Sequence, residues 1–266
     1  MSHQRYDDIG RTYRAMRRTD PAIAAQIWAA VGDARRIVNV GAGTGSYEDH
    51  ARSIVAVEPS AVMMAQRGPT AAPAVQAVAE ALPFPDGTFD VAMAILTVHH
   101  WRDLRAGLAE LRRVARRQVI FTFDPEIHDA LWVFNDYVPA AMGLALAAPL
   151  EVITDALGPC LVETIAVPKD CADGFASAYW RRPEHYLRPE VRASISAFAR
   201  LDDRDVEPGM ARLAEDLASG RWHERHGDLF EHESYDAGLR LVIAGGDAHR
   251  GATSTRAADE PTRKAP

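Results

Sequence analysis

Three glycines at alternate positions follow the first strongly apolar segment of the chain. Residues 36–40 have the composition of a buried strand, and Gly41, Gly43 and Gly45 come directly after them. A glycine in regular structure costs about 0.5–1 kcal/mol relative to alanine, so three of them need a reason. Either the chain turns tightly at this place, or a ligand lies against a backbone that lacks side chains.

A carboxylate after the second apolar segment favours the ligand. Residues 53–57 are a second predicted strand, and Glu58 follows them, 17 positions after Gly41. In an open parallel sheet, ligands bind beyond the carboxyl ends of the strands. A carboxylate there can accept hydrogen bonds from both hydroxyls of an adenosine ribose. The two features together predict a site for a cofactor that contains a nucleoside.

Predicted strands and helices alternate around these residues. The predicted strands are 36–40, 53–57, 74–78, 89–96 and 118–123, and the predicted helices between them are 46–51, 60–67 and 102–116. The strands have little polar alternation, as expected of strands buried on both faces. Their alternation with helices implies right-handed crossovers. The sequence therefore predicts an α/β fold with a doubly wound, Rossmann-like sheet that is mostly parallel.

The second half of the chain completes this sheet and adds a long insertion. Residues 161–168 and 238–245 are predicted strands six and seven, which gives a seven-stranded sheet. Residues 169–237 between them are far longer than an ordinary connection, and we expect a helical lid with helices within 183–200 and 208–219. The expected division is an N-terminal helical arm over 1–35 that is broken at Pro21, a cofactor-binding domain over 36–168 and 238–246, the lid over 169–237, and a disordered tail over 247–266.

Composition argues against several classes of protein. The 266 residues contain 30 Lys and Arg against 37 Asp and Glu, and the net charge of −7 disfavours a surface that coats nucleic acid. No apolar run is long enough for a membrane span, and charged residues occupy the stretch where a signal peptide needs apolar ones. Cys160 and Cys171 form neither a disulfide framework nor a metal motif. We therefore expect a cytoplasmic monomer or homodimer without a nucleic-acid partner.

The segment 223–233 is the strongest candidate for a metal site. It contains three histidines and several glutamates, and His223 and His226 have a helical spacing. Gly227 interrupts a helix at this point and no cysteine joins the group, so we predict a solvated loop and no bound metal.

Four segments in order resemble the class I S-adenosylmethionine (SAM) dependent methyltransferases. They are VNVGAGTGSYE (38–48), VAVEPS (55–60), AEALPFPDGTFDVAMAILTVHHW (79–101) and LAELRRVARRQVIFTF (108–123). The glycine spacing is G-x-G-x-G, whereas a dinucleotide site has G-x-G-x-x-G, and Ser46 stands where its last glycine would be. The likeness covers 36–124 and continues more loosely to residue 245. It is closest to the small-molecule group that includes enzymes of quinone biosynthesis.

The resemblance implies that SAM is the cofactor and assigns a place to each matching residue. Gly41, Ala42, Gly43 and Gly45 are expected under its methionine part, Glu58 at its ribose, Pro59, Ser60 and Met63 beside the adenine, Ala79 and Glu80 at the adenine edge, and Leu96, Thr97 and His99 along the pocket after strand four. From the arm, Tyr13 and Arg17 are expected to cover the methionine end, or else to belong to a solvated helix.

Two positions depart from the family pattern. Asn39 stands where the family often has an acidic residue that anchors the amino end of SAM, and Asn keeps an acceptor without the charge. Val78 stands where an aspartate often contacts the adenine amino group, and backbone groups or Glu80 are the expected substitutes.

Three side chains near the ends of strands four and five are candidate bases. A sulfonium methyl is already activated, so the protein must hold an acceptor in line with it, and a base is needed only if the acceptor must lose a proton. The candidates are His100, Asp124 and His128, with His100 preferred. The alternative is that His99, His100 and Trp101 only close strand four by packing.

Aromatic and basic side chains in the insertion, and in the helical segment before it, are candidates for acceptor binding. Such groups can stack on a planar acceptor or hold an anionic group. The candidates are Trp132, Tyr137, Tyr179, Trp180, Arg181 and Arg182. Packing between the helices and the core accounts for the same residues.

These features favour one function over three others. The favoured function is transfer of a methyl group from SAM to an O, N or C atom of a small molecule by in-line displacement. A non-catalytic SAM-binding module is the first alternative, and an NAD(P)-dependent reductase, which the glycine spacing opposes, is the second. A nucleic-acid methyltransferase is disfavoured by the net charge and by TVHH at the place of an N/D-P-P-Y motif.

Overall fold

A seven-stranded sheet carries the site. In a computed structural model, which describes residues 17–143 and 148–246, the strands are β1 (Ile37–Val40), β2 (Ile54–Val57), β3 (Ala74–Val75), β4 (Phe89–Ile95), β5 (Ala115–Phe123), β6 (Cys160–Thr164) and β9 (Leu239–Gly245). Their order is β3-β2-β1-β4-β5-β9-β6, and β9 runs antiparallel to both of its neighbours. The predicted α/β fold with a mostly parallel seven-stranded sheet is confirmed.

The order of the strands reverses between β1 and β4. β1 pairs in parallel with β2 on one side and with β4 on the other. All four residues of β1 are buried, because helices cover both faces of the sheet. The crevice beyond the carboxyl ends of β1 and β4 is the place where such sheets bind ligands.

Eight α-helices lie in the described part of the chain: α1 (Pro21–Val31), α2 (Ala61–Ala65), α3 (Leu104–Val114), α4 (Pro125–Asp129), α5 (Leu150–Leu157), α6 (Pro189–Ala193), α7 (Asp203–Ser219) and α8 (Arg221–His226). α1 begins where it was predicted, because Asp20 caps its first backbone N–H groups and Pro21 has the backbone angle of a first helical residue. The helix expected before Pro21 lies largely outside the described residues.

The predicted helix over 46–51 is wrong. Tyr47 has a φ of 65°, which a helix does not allow. The Glu48 carboxylate accepts hydrogen bonds from the side chains of Asn39 and Arg67 and from the backbone N–H of Ala72. These bonds hold the segment in a series of turns, so the glycines are not followed by a helix.

The two other predicted elements beyond β5 differ in detail. The predicted strand 161–168 divides into β6 and a short β7 (Val167–Pro168), which pairs with β8 (Ser234–Tyr235) in a separate two-stranded sheet. The segment 223–233 is helical rather than a loop, because it contains the end of α8 and a 3-10 turn at Gly227–Glu231, and Trp222 beside it is fully buried.

The insertion 169–237 contributes large side chains to the apolar core. Trp180, Tyr186 and Trp222 are buried in it and share one apolar core with Ile27 of α1 and Phe121 of β5. Its second helix, α7, starts earlier than predicted, at Asp203. Its first helix is interrupted, and short 3-10 turns at Pro183–Leu187 and Phe198–Arg200 flank α6.

Candidate active site

The glycines after β1 make a tight turn that lies close to Thr97. Gly41, Gly43 and Gly45 have φ values of 70°, 53° and 95°, which residues with a Cβ atom rarely adopt. A Cβ on Gly41 would lie 2.0 Å from Oγ1 of Thr97, which follows β4. A Cβ on Gly43 would meet only Met63, at an ordinary 3.6 Å. The absence of a Cβ atom at Gly41 therefore leaves room for the side chain of Thr97, and the three glycines together allow the turn.

The carboxylate of Glu58 is fixed against this turn. Its Oε2 accepts from the backbone N–H of Gly43 at 2.8 Å, and its Oε1 accepts from the N–H of Ser60 at 2.9 Å. The side chain is buried, so both bonds are shielded from water. The acidic group at the end of β2 is thus held in place by backbone donors.

A cavity of about 1060 Å³ opens beyond β1, β2 and β4, and thirteen of the residues expected at the cofactor line it. They are Arg17, Asn39, Gly41, Ala42, Gly43, Glu58, Pro59, Ser60, Met63, Ala79, Glu80, Leu96 and Thr97. We call this space the first cavity. Gly45 is not among its lining residues, His99 lines a second cavity, and Tyr13 lies outside the described residues.

Asn39 shows how the first cavity suits an amino group. Its Nδ2 donates to Oε1 of Glu48 at 3.1 Å, and its Oδ1 is buried without a hydrogen-bond partner among the described residues. Because the Glu48 carboxylate can only accept, the amide must turn Nδ2 toward it. The unused Oδ1 is an acceptor for the ammonium group of an amino acid. The acidic residue of the family pattern is absent at 39, and a buried carboxylate stands behind the asparagine instead.

Arg67 neutralises the charge of the Glu48 carboxylate. Its guanidinium lies 2.7 Å from Oε2 of Glu48, and both side chains are almost completely buried. Arg67 also donates to the backbone carbonyl oxygens of Gly43 and Ala72. Such a pair is stable in the interior because its remaining hydrogen-bonding groups are also satisfied. Sequence analysis missed both residues, although Glu48 is the last residue of the recognised segment 38–48 and Arg67 follows the segment 55–60 by seven positions.

The far wall of the first cavity is made by the start of α3. Oε1 of Glu80 accepts from the backbone N–H groups of Arg102 and Asp103, at 2.7 and 3.0 Å. Trp101 packs against Gly107, where a Cβ would lie 2.4 Å from its ring. Glu80 therefore holds the wall together. Trp101 and Asp103, which sequence analysis did not single out for this site, line the cavity beside it.

Arg17 links the arm to the insertion. Its Nε and Nη2 donate to the two carboxylate oxygens of Asp173, at 2.6 and 3.3 Å. The hydroxyl of Tyr47 donates to the same carboxylate at 3.0 Å, and Asp20 accepts from the backbone N–H of Ala172. Arg17 and Asp173 are 156 positions apart, so no local pattern could have predicted the pair.

A second cavity of about 60 Å³ adjoins the first. Arg17, Leu96 and His100 line both cavities, so the two spaces meet at the end of β4. His99 and His128 line the second cavity alone. Asp124 lines neither cavity, and it caps α4 by accepting from the backbone N–H of Glu126.

His99 and His100 are neutral at physiological pH. Burial, together with the nearby ring of His100, lowers the pKa of His99 well below its usual value. Burial and the positive charges of Arg200 and Arg17 lower the pKa of His100 to about 3. A neutral imidazole can donate one hydrogen bond and accept another, but a ring with this pKa is a weak base.

The aromatic and basic candidates for acceptor binding line neither cavity. Trp132 is buried and donates from Nε1 to the carbonyl oxygen of Trp180 at 2.7 Å, while Tyr137 donates to Asp216 at 2.8 Å. Tyr179 is buried as well. Arg181 and Arg182 donate to backbone carbonyl oxygens, at His232, Cys171 and Ala178. The structure places these six side chains in the packing of the insertion, because their ring edges and polar atoms find partners there.

Two comparisons with known proteins agree on a family. The sequence model of the methyltransferase domain matches residues 38–123. A crystal structure from Anabaena variabilis, assigned provisionally as a methyltransferase from an antibiotic biosynthesis pathway, is 32% identical; the alignment covers 86% of this chain and 98% of that chain, with a TM-score of 0.79. The chain belongs to the class I SAM-dependent methyltransferases.

Two other matches show less about the methyltransferase. The [4+2]-cyclase SpnF is 15% identical with a TM-score of 0.52 over 91% of this chain and 94% of that chain, which shows a shared fold alone. The uncharacterized protein YafE of Escherichia coli is 42% identical over 41 residues, and the match spans only 20% of its length. The same fold therefore occurs in a protein named for other chemistry, and the acceptor must be argued from the site.

The cofactor of the methyltransferase is SAM, and the first cavity suits it. The unused Oδ1 of Asn39 matches its ammonium group, and the Glu58 carboxylate lies at the end of β2 where a ribose would be held. Within 17–143 and 148–246 no helix is long and apolar enough to cross a membrane. The same residues contain no group of His, Cys, Asp and Glu that could hold a metal ion.

Proposed function

We propose that this methyltransferase methylates a small molecule whose reacting atom enters the second cavity while SAM occupies the first. The observation that carries this proposal is the junction of the two cavities at Arg17, Leu96 and His100. Bound SAM supplies an activated methyl group, so the protein must align the acceptor and exclude water. Reactants in two cavities that share a boundary can be aligned across it, as the in-line transfer of a methyl group requires.

The backbone at the junction supports a positioning role. Leu96 has a φ of 49°, a left-handed conformation that is uncommon for a residue other than glycine, and its N–H donates to the carbonyl oxygen of Phe121 at 2.7 Å. Such conformations persist where the surrounding structure fixes them, and they occur often at functional sites. We propose that Leu96 and His100 orient the two reactants.

The insertion 169–237 is proposed to act as the cover of the acceptor space. Phe175, Ala176 and Ser177 line the second cavity from one side, and residues 194–197 line it from another. This cover differs from the expected aromatic lid, because Phe175 is the one aromatic residue among these seven. We also propose, from the arm's contact with Asp173, that residues 17–20 and the insertion enclose the site together.

Several features support a small acceptor and no macromolecule. The second cavity is narrow, and the net charge of −7 does not suit nucleic acid. The similar protein from Anabaena variabilis is associated with an antibiotic biosynthesis pathway, whose products are small molecules. We propose a cytoplasmic enzyme, monomeric or homodimeric.

The test is a labelling experiment with the full chain. A metabolite extract is incubated with the protein and SAM that carries a deuterated methyl group, and mass spectrometry searches for acceptors that gain the label. We expect one or a few labelled small molecules, and less label with Glu58→Ala when the SAM concentration is too low to saturate the variant. If calorimetry shows that SAM binds and no labelled product forms from any extract, the non-catalytic SAM-binding module is the better function.

A further inference from the structure

One histidine of the second cavity has a carboxylate beside it. Nδ1 of His128 lies 3.7 Å from Oδ1 of Asp129, which is within the distance of an ion pair although too long for a hydrogen bond. The other carboxylate oxygen, Oδ2, accepts from the backbone N–H of Gly143 at 2.9 Å. Asp129 lines neither cavity. Its charge can therefore act on the contents of the second cavity only through the ring of His128.

The ring of His128 is fixed by its neighbours. Its centroid lies 4.6 Å from that of Phe123 and 5.2 Å from that of Phe134, and the residue is 6% exposed. Nδ1 is buried without a hydrogen-bond partner, and Nε2 forms no hydrogen bond in the described part of the chain. Buried polar groups are normally paired, so a fixed ring with both nitrogens unused indicates a ligand.

The two other histidines around this cavity are poor bases. Burial lowers the pKa of His99 well below its usual value and that of His100 to about 3. Among the described residues that line the cavity, the remaining ionisable side chains are those of Arg17 and His128. Arginine stays protonated in proteins, so His128 is the residue suited to accept a proton. The nearby Asp129, whose own pKa is lowered by His128, favours the protonated ring.

We propose that His128 is the general base of the transfer, and that the acceptor is a neutral molecule whose hydroxyl group enters the second cavity. Nε2 of His128 takes the proton of this hydroxyl. Asp129 is a positioning residue, which orients the ring and stabilises its charged form. This inference rests on the proposed function and names the acceptor class of that site.

A further unpaired group favours oxygen over nitrogen as the methylated atom. Oγ of Ser177 is buried without a partner among the described residues, and Ser177 lines the same cavity. A hydroxyl oxygen has two lone pairs, so one can attack the methyl group while the other accepts a hydrogen bond from Ser177. The nitrogen of a neutral amine has a single lone pair, and a donor bound to it would block the attack. The site therefore suits a hydroxyl better than an amine.

The transfer step balances in atoms and in charge. The O–H bond breaks as its proton moves to Nε2 of His128, and the oxygen forms a bond to the methyl carbon. The carbon–sulfur bond breaks, and its electron pair stays on sulfur, which becomes neutral. The positive charge thus moves from the sulfonium to the imidazolium, which lies beside the Asp129 carboxylate. The imidazolium returns its proton to water before the next turnover.

The first test is the position of the transferred methyl group. The labelled products of the extract experiment are treated with hydroiodic acid, which releases the methyl group of an ether as methyl iodide. We expect deuterated methyl iodide, from products that resist alkali and so are not esters. Label that stays in the product under these conditions, as a methyl group on carbon or nitrogen does, would overturn the inference and leave the proposed function standing.

The second test removes the ring. His128→Ala, shown to be folded by calorimetry with S-adenosylhomocysteine, should transfer the methyl group at least about a hundredfold more slowly at saturating SAM. Added imidazole should restore part of the rate, whereas pyrrole, which has the same shape without the basic nitrogen, should not. Equal rescue by both compounds would show that the ring acts by packing alone and would overturn the inference, as would a rate close to that of the wild type.

The third test compares Asp129 with a matched pair elsewhere in the chain. Asp129→Asn should slow the transfer about tenfold with unchanged SAM affinity, and the rate should reach its plateau at a lower pH, because the imidazolium has lost its carboxylate. Asp136→Asn is the control, since Asp136 bonds to His226 at 2.8 Å and lines neither cavity. Equal rates in the two variants would overturn the inference, even if His128→Ala does not fold. If SAM binds and no extract yields a labelled product, the proposed function fails and the inference falls with it.

Discussion

The two cavities are built in different ways. Around the first cavity, Glu58 accepts hydrogen bonds from nearby backbone N–H groups. Arg67 bonds to Glu48 and to a nearby backbone carbonyl oxygen, and all of these groups lie within the first third of the chain. Around the second, Ser177, His99 and His128 come from separate segments and leave polar atoms unused. We propose that the first region is preformed for one fixed ligand, and that unused polar atoms of the second are satisfied by a bound acceptor.

This difference indicates which part of the molecule determines the specificity for the methyl acceptor. SAM is common to the family, and its site is made by residues close to the strand ends. We propose that the acceptor space is closed by the insertion and the arm, which are far apart in the sequence and meet at Arg17 and Asp173. Seven buried side-chain atoms have no hydrogen-bond partner among the described residues. Five of them belong to residues that line the two cavities, as expected of atoms that a ligand would bind.

The largest effect is expected where the arm meets the insertion. Arg17→Met leaves the fully buried carboxylate of Asp173 without its cation, so the free energy of unfolding should fall by about 3 kcal/mol. Urea denaturation measures it. Arg36→Met is the control, since Arg36 pairs with Asp90 at the exposed surface and should cost no more than about 1 kcal/mol. Similar losses in both variants would mean that the arm is not part of the enclosure.

The glycine turn gives the next effect. Gly41→Ala places a Cβ against Thr97 in a left-handed backbone conformation, so unfolding should become easier by about 1–3 kcal/mol and SAM binding should be lost. Gly87→Ala has a similar φ of 61° and nothing within 4 Å of the new atom. It therefore reports the backbone strain alone. Thermal unfolding of the two variants separates contact from strain, and equal losses would contradict the close approach of Thr97.

The free energy of unfolding should fall in acid because of His100, which lies on the acceptor side. The folded pKa of His100 is about 3, against an ordinary value of 6.5 in the unfolded chain. Below pH 6.5 the unfolded state takes up a proton that the folded state does not, so stability is present above pH 6.5 and is lost as the pH falls toward 3. Between pH 6.5 and 5 the loss should be about 1–2 kcal/mol for this ring. His100→Asn should flatten the curve of unfolding free energy against pH, and an unchanged slope would show that the ring is charged when folded.

The smallest expected effect is on SAM affinity in Glu58 variants, and it tests the first cavity separately from the second. Glu58→Ala should weaken SAM binding about tenfold, or about 1.4 kcal/mol, because the ribose loses its carboxylate. Glu58→Gln should also weaken it, since Gly43 and Ser60 donate to different carboxylate oxygens and the amide Nε2, itself a donor, would face one of these two N–H groups. Calorimetry measures both variants. Unchanged affinity would remove Glu58 from the cofactor site.

The sequence predicted the cofactor side better than the acceptor side. The strands, the glycine turn and Glu58 are signalled locally, by apolar runs and by residue types at fixed spacing. The segment after Gly45 was predicted incorrectly, because Glu48 bonds to Arg67 and Asn39 and prevents a helix. Strand patterns could not reveal that a salt-bridged turn stands in place of the predicted helix.

The acceptor side depends on contacts between distant parts of the chain. Trp132 and Trp180 looked suitable for stacking on a ligand, but their burial depends on how the insertion packs, which no local pattern describes. Ser177 looked ordinary, and only the fold brings it beside His128. The histidines after β4 and β5 were recognised because they follow strand ends.

The most direct test of the account is a crystal structure of the full chain soaked with S-adenosylhomocysteine. We expect the ligand in the first cavity, with its ribose hydroxyls on Glu58, its amino group at Asn39 and its sulfur facing the junction at Leu96 and His100. Density for the ligand at any other place, with the first cavity closed by the protein's own side chains, would contradict the account.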